Sequence, residues 1–196
     1  MSSVESWSGK DRGDENFPVG SLLIRPDLRP HVHAYYAFAR NADDIADSPA
    51  LSPENKVARL DRMEAVLLGR EREGSPSAAR LRDSLAETGV DAVHACELLI
   101  AFRQDATKRR YASWDELMTY CRYSAAPVGR YVLDLHGEDR ATWPPSDALC
   151  AALQVLNHLQ DGGKDLSALD RSYLPQDMLE AAGASVADVA ALGAPS

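Results

Sequence analysis

Apolar residues recur at helical spacing along this chain, and no stretch shows the alternation of apolar and polar residues that is typical of a half-buried β-strand. The clearest case is a run that leads up to Asp47 and contains Val32, Tyr35, Tyr36, Ala39, Ala42, Ile45 and Ala46. Asp27 is placed to cap this helix, and Ser48-Pro49 ends it. The pattern predicts an all-α fold.

Capping and helix-breaking residues divide the middle of the chain. Ser52-Pro53 begins a second helix, and a third is expected from about Ser77 to Glu87. Asp91 is placed to cap a fourth helix that runs towards Tyr111.

The second half begins with a capping box, Ser113-Trp114-Asp115-Glu116, at the start of a fifth helix. Pro127 is expected to kink that helix. Trp143-Pro144-Pro145 is interpreted as a rigid link before a sixth helix capped by Ser146, and a short helical tail is expected after Pro175. Residues 1–20 are expected to form an N-terminal arm, and residues 21–196 a single helical domain.

Charge and composition exclude several classes of function. The net charge of −9 would repel a nucleic-acid backbone, so no nucleic-acid partner is expected. The 3 cysteines are far apart in the sequence, which argues against a disulfide framework or a zinc site. The N-terminus has no apolar signal core, and no apolar run is long enough to cross a bilayer, so the prediction is a cytoplasmic protein.

Two acidic clusters carry the chemistry. In the first, Asp43 and Asp47 are four residues apart and share a helix face, with Arg40 one turn earlier. The second is a row of Asn157, Asp161 and Asp165, again in steps of four. Like charges at this spacing destabilise a helix, and the first cluster lies at a C-terminal end, where the helix dipole disfavours acids.

A bound cation would remove both penalties. Oxygen ligands without Cys or His favour Mg²⁺ or Mn²⁺ over zinc, and magnesium in proteins is commonly completed by substrate phosphate. Two aspartate-bearing helices are therefore predicted to hold a diphosphate through Mg²⁺. The alternative is that each cluster is a solvated acidic surface. No glycine-rich dinucleotide fingerprint is present, so NADPH is not expected.

Three segments resemble the signatures of squalene and phytoene synthases. The first is Tyr36-Ala37-Phe38-Ala39-Arg40 leading into Asp43 to Asp47, preceded by a stretch that starts at Phe17-Pro18-Val19-Gly20. The second runs from Asn157-His158-Leu159-Gln160-Asp161 to Arg171-Ser172-Tyr173-Leu174-Pro175, and the third is the central Tyr120 to Arg130. The resemblance covers residues 10 to about 180 and implies an isoprenoid-synthase helical bundle with a central cavity, working on an isoprenoid diphosphate.

Roles follow from the matched positions of that family. The resemblance implies that the Mg²⁺ ligands are Asp43, Asp47, Asn157, Asp161 and Asp165. It implies diphosphate contacts from Arg40, Asn157 and Arg171, and a catalytic role for Tyr120 beside the four aspartates. Transient contact with a membrane and with partner enzymes of the squalene/hopanoid pathway is also expected, because the products are very apolar.

A finer resemblance is to the bacterial hopanoid-pathway branch of the family. Ser8-Gly9-Lys10, Glu15 to Val19 and Leu153 to Asp161 carry it, and Gln160 stands where many relatives have arginine. The branch implies conversion of presqualene diphosphate to hydroxysqualene. Two alternatives stay open: synthesis of squalene, presqualene diphosphate or phytoene from farnesyl or geranylgeranyl diphosphate, and a non-catalytic diphosphate-binding subunit. The second alternative arises because the chain is shorter than is usual in the family, and an incomplete C-terminus is expected.

Overall fold

The computed structural model describes residues 3–5 and 24–188, and these residues form an all-helical structure. The α-helices are α1 (Arg29–Asp47), α2 (Pro53–Leu67), α3 (Pro76–Thr88), α4 (Val93–Asp105), α5 (Trp114–Ser124), α6 (Ala126–Leu135), α7 (Trp143–Leu169) and α8 (Gln176–Ala181). A single 3-10 turn, Arg140–Thr142, precedes α7. The described part of the chain contains no strand, only one isolated bridge between Tyr111 and Pro175, so the predicted all-α class is confirmed.

Two apolar clusters hold the helices together. In the larger one, α1 packs against α2, α3 and α4, and Phe38, Ile45 and Leu99 are completely buried. Burying each such side chain contributes about 1.5–3 kcal/mol. The smaller cluster joins α4 and α5 to the segment after α7 through Tyr111, Tyr120 and Tyr173. The larger cluster fixes the C-terminal, acidic end of α1. The smaller cluster places Tyr120 and Tyr173 beside that end.

Several predicted helix starts are confirmed. The Ser52 hydroxyl accepts the Asn55 amide at 3.3 Å, and the Ser113 hydroxyl accepts the Glu116 amide at 3.3 Å. Asp91 accepts the Val93 amide at 2.8 Å, but the N-cap residue of α4 is Ala92, one residue later than predicted.

Other predicted boundaries were wrong. The fourth helix ends at Asp105 and not near Tyr111, and Asp27 pairs with Arg25 instead of capping α1, whose N-cap is Leu28. The third helix, by contrast, agrees with its predicted bounds to within one residue at each end, and the hydroxyl of Ser75 caps it.

Prolines account for two further differences. The expected single fifth helix is divided into α5 and α6, because Pro127 has no amide hydrogen and its ring clashes with the preceding turn. Trp143-Pro144-Pro145 is not a link but the first turn of α7, where missing amides cost nothing, so Ser146 lies inside the helix.

Helix α7 is long and largely uncovered. It packs against α5 and α6, and it continues through Gly162 and Gly163 to Leu169. Four leucines on one side are between 52% and 61% exposed: Leu149, Leu153, Leu156 and Leu159. Within the residues that the structure describes, no helix is both long enough and apolar enough to cross a membrane.

Most of the expected N-terminal arm lies outside the described residues, as do the motif residues from Ser8 to Leu23. The described part of the arm, residues 3–5, contacts the domain. Val4 is buried in the larger cluster and its amide donates to the Gly74 carbonyl at 2.7 Å.

Candidate active site

The aspartates of α1 lie in its last two turns beside Arg40. The Arg40 guanidinium pairs with Asp43, and its Nε donates to Asp44 Oδ1 at 3.1 Å. Asp44 is buried, whereas about a third of each of the Asp43 and Asp47 side chains is exposed, at 33% and 34%. Burial, reinforced by the charge of Asp47, raises the pKa of Asp43 although Arg40 opposes the shift. The end of α1 therefore carries more negative charge than its arginine balances.

The second acidic row lies along one flank of α7. Asn157, Asp161 and Asp165 are all partly exposed. Burial raises the pKa of Asp165 to about 6, with further contributions from Asp161 on the same helix and Asp47 on α1. Since charges act on each other strongly only at short range, the C-terminal ends of α1 and α7 share one electrostatic site.

Arg171 joins the two ends directly. It follows α7 after the left-handed residue Asp170, which turns the chain back towards α1. Only 3% of Arg171 is exposed, and its Nη1 donates to Asp47 Oδ1 at 2.9 Å. Sequence reasoning predicted that the clusters converge. The structure brings Asp47 and Arg171 into contact, and the backbone amide of Arg171 donates to the carbonyl of Asp165 at 3.3 Å.

Tyr120 lies behind this bridge, in a buried polar network centred on Asp105. Tyr120 Oη donates to Asp105 Oδ2 at 2.8 Å, and Tyr173 Oη donates to Asp105 Oδ1 at 3.0 Å. Arg171 Nη1 also donates to Tyr173 Oη at 3.1 Å. Burial raises the pKa of Asp105 to about 6, while the positive charge of Arg171 opposes the shift.

Sequence reasoning missed Asp105, Tyr173 and His158 as members of this site. His158 stacks on Tyr173 with ring centroids 3.6 Å apart, and burial lowers its pKa to about 3. One signal pointed to Asp105: like the α1 aspartates, it ends its helix, where the dipole disfavours an acid. The two aromatic residues give no such signal, because an aromatic residue at helical spacing is usually part of a core.

The predicted Mg²⁺ ligands fit a divalent ion by their chemistry but do not form a cage. Among residues 3–5 and 24–188, no three Asp, Glu, His or Cys side chains are grouped closely enough to hold a metal ion. The ligand atoms are oxygens, and burial and the neighbouring acids raise the pKa of both Asp43 and Asp165, as expected where a cation would relieve crowded charge. Magnesium uses few carboxylates when phosphate oxygens are available, so the donor set suits it.

Of the predicted site residues, Asp43, Asp47, Asp165, Arg171 and Tyr120 converge in this region. Arg40 is paired with the α1 acids, where the resemblance implied a diphosphate contact. Asn157 and Asp161 continue the α7 row away from the bridge. Their roles as ligands, diphosphate contacts or catalytic groups remain predictions.

The all-α bundle that carries these aspartates has the fold of the isoprenoid synthases. The solved structure of squalene synthase HpnC from Alicyclobacillus acidocaldarius superposes with a TM-score of 0.77 at 38% identity, covering 92% of this chain and 68% of that one.

The sequence profile of squalene/phytoene synthase matches residues 10–196, and the chain belongs to that family. It is 56% identical over 188 residues to the hydroxysqualene synthase of Rhodopseudomonas palustris, covering 96% of this chain and 64% of that protein. It is 52% identical over 184 residues to the hydroxysqualene synthase of Zymomonas mobilis, covering 93% of this chain and 62% of that protein. The chain thus spans a little under two thirds of the length of these relatives.

Proposed function

We propose that this chain carries the catalytic site of a hydroxysqualene synthase, which converts presqualene diphosphate to hydroxysqualene with Mg²⁺. The observation that supports this most strongly is the Arg171–Asp47 ion pair, since it joins the two aspartate-bearing helices at one site. The similarity to two hydroxysqualene synthases favours this product over squalene or phytoene.

The charges of the site suit a diphosphate. Asp43, Asp47, Asn157, Asp161 and Asp165 would hold Mg²⁺, which would neutralise the diphosphate oxygens and stabilise their developing charge. Arg171 and Arg40 lie at the same site and supply further positive charge. The pairs that these arginines make with aspartates are ready to be exchanged for contacts with the diphosphate.

The uncovered face of α7 suits the apolar part of the substrate. The exposed leucines form a stripe that borders the acidic row at Asn157, because Asn157 follows Leu153 by four residues and is rotated from it by only roughly 40° around the helix axis. Asp161 and Asp165 are turned further away from the leucines. A solvent-exposed apolar stripe of this size marks a binding surface. An isoprenoid chain bound on this surface would approach the acidic row at Asn157.

The reaction then needs three steps. The carbon–oxygen ester bond breaks and both electrons leave with the diphosphate, the carbocation rearranges, and a water oxygen bonds to the cation and releases a proton. The residues of this chain would bind and orient the diphosphate.

The test is incubation with presqualene diphosphate and Mg²⁺, followed by mass spectrometry of the lipid extract. Hydroxysqualene is the expected product, and Asp43→Asn or Asp161→Asn should lower its yield at least a hundredfold while far-UV circular dichroism stays unchanged. Asp83→Asn is the matched control, because Asp83 is an exposed aspartate on α3 with a side chain that is 73% exposed. Full turnover in both site variants, or squalene as the product, would refute the proposal.

A further inference from the structure

The carboxylate of Asp105 organises the groups behind the diphosphate site. It ends α4, and only 3% of the residue is exposed. Each of its oxygens accepts a tyrosine hydroxyl, Tyr120 at 2.8 Å and Tyr173 at 3.0 Å, and the two hydroxyl oxygens are 3.4 Å apart. A tyrosine hydroxyl has one proton to donate. While Asp105 is ionised, both protons are therefore committed to it.

This arrangement limits what Tyr120 can do. Its hydroxyl can offer only lone pairs to any further group, so it cannot donate a proton to a departing diphosphate. Positive charge for the leaving group must come from the arginines and the metal instead.

Asp105 also holds Arg171, and through it Asp47. Arg171 Nη2 donates to the Asp105 backbone carbonyl at 2.8 Å, and Nη1 donates both to Tyr173 Oη and to Asp47 Oδ1. The side chain of Asp105 thus fixes Tyr173, and Tyr173 together with the Asp105 carbonyl fixes the plane of the guanidinium. A planar guanidinium recognises phosphate only in a defined orientation.

We propose that Asp105 is a positioning residue: it orients Arg171 towards the diphosphate and keeps Tyr120 from acting as a proton donor. This inference rests on the proposed function, because it assumes that a diphosphate binds at Arg171. It predicts that removing the Asp105 carboxylate weakens anion binding, whereas a purely electrostatic role predicts the opposite change. A buried negative charge that acted only through its field would repel an anion, so its removal would strengthen binding.

The experiment measures the binding of inorganic pyrophosphate with Mg²⁺ by calorimetry to the full chain and to Asp105→Asn. Asparagine keeps the shape of aspartate, but its amide nitrogen cannot accept a tyrosine hydroxyl, so one tyrosine loses its partner. The expected result is roughly tenfold weaker binding, as for the loss of a hydrogen bond to a charged group. Unchanged or tighter binding by Asp105→Asn, or no binding by the unmodified chain, would overturn the inference.

Two further variants separate positioning from loss of folding. Tyr173→Phe removes the hydroxyl through which the Asp105 side chain is hydrogen-bonded to Arg171. It should weaken pyrophosphate binding to a similar extent, without adding to the effect of Asp105→Asn in the double variant. Asp134→Asn is the matched control: this carboxylate accepts Trp143 Nε1 at 3.0 Å and pairs with His94 at 2.8 Å. Trp143 lies about 27 Å along α7 from Asp161. The control should lower the melting temperature but leave pyrophosphate affinity unchanged.

Turnover of presqualene diphosphate distinguishes this inference from the proposed function. If the unmodified chain makes no hydroxysqualene but Asp105→Asn still weakens pyrophosphate binding, the proposed reaction is wrong and the positioning role stands. If turnover occurs and Asp105→Asn binds pyrophosphate as tightly as the unmodified chain, the positioning role is wrong and the reaction stands.

Discussion

Replacing Arg171 by glutamine tests whether one buried side chain holds the two halves of the site together. Arg171 bonds to Asp47, to Tyr173 and to the backbone of Asp105. Removing one partner of a buried ion pair costs about 3–5 kcal/mol, because the other charge stays buried without compensation. We expect the lower end, about 3 kcal/mol, since Asp47 is 34% exposed and Asp105 keeps two tyrosine donors.

The assay is urea unfolding followed by circular dichroism. With a slope of about 2 kcal/mol/M for a domain of this size, the midpoint of Arg171→Gln should fall by about 1.5 M. Arg110→Gln is the matched control, because Arg110 pairs at the surface with Asp170, the residue next to Arg171, and the Asp170 side chain is 76% exposed. Its midpoint should shift little, because exposed ion pairs contribute little. Equal shifts for the two variants would refute the claim that Arg171 is the structural bridge.

Two other predictions concern acid and ligand. Burial lowers the pKa of His158 to about 3 from 6.5, so the unfolded chain binds a proton that the folded one does not, and stability falls as the pH drops below about 6.5. His158→Phe keeps an aromatic ring on Tyr173 but has no group that titrates. Between pH 6.5 and 4.5, its free energy of unfolding, measured in urea, should therefore fall by about 2 kcal/mol less than that of the unmodified protein. Equal losses would contradict this. Burial raises the pKa of Asp43, Asp105 and Asp165, so these acids make the folded protein more stable as the pH falls. Their effect is the same in both proteins and cancels in the comparison. Pyrophosphate with Mg²⁺ at about a hundred times its dissociation constant should raise the melting temperature by roughly 5–10 °C. Asp47→Asn should remove most of this rise in thermal scans, and an undiminished rise would exclude Asp47 as a ligand.

The sequence predicted the helices best where side chains cap them locally. Ser52 and Ser113 each bond an amide three residues ahead, and a contact of that range can be seen in the sequence. Proline was harder to interpret, because its effect depends on position. Pro127 lies in the first turn of α6 and divides it from α5, where a single helix was expected, and Pro144 and Pro145 lie in the first turn of α7, where a link was expected. Only the structure shows which position applies.

The aspartates were predictable and the network behind them was not. Asp43 and Asp47 stand out because the i,i+4 spacing and the helix end both disfavour acids there. The link from Asp105 to Arg171 spans 66 residues, and the link from Asp47 to Arg171 spans 124. No local rule connects residues so far apart in sequence. Their contact depends on how the turn at Asp170 directs the chain back towards α1.

The buried network is costly for a protein that only has to fold. Around one arginine it gathers Asp47, Asp105 and Asp165, and burial raises the pKa of the last two to about 6. Replacing such a group by apolar side chains often stabilises a protein. The apolar clusters around it, with Phe38, Ile45 and Leu99 completely buried, would hold the helices without it. Sequences violate the rules of stability chiefly at functional sites, so the crowded carboxylates favour a cation-dependent role over a solvated acidic surface.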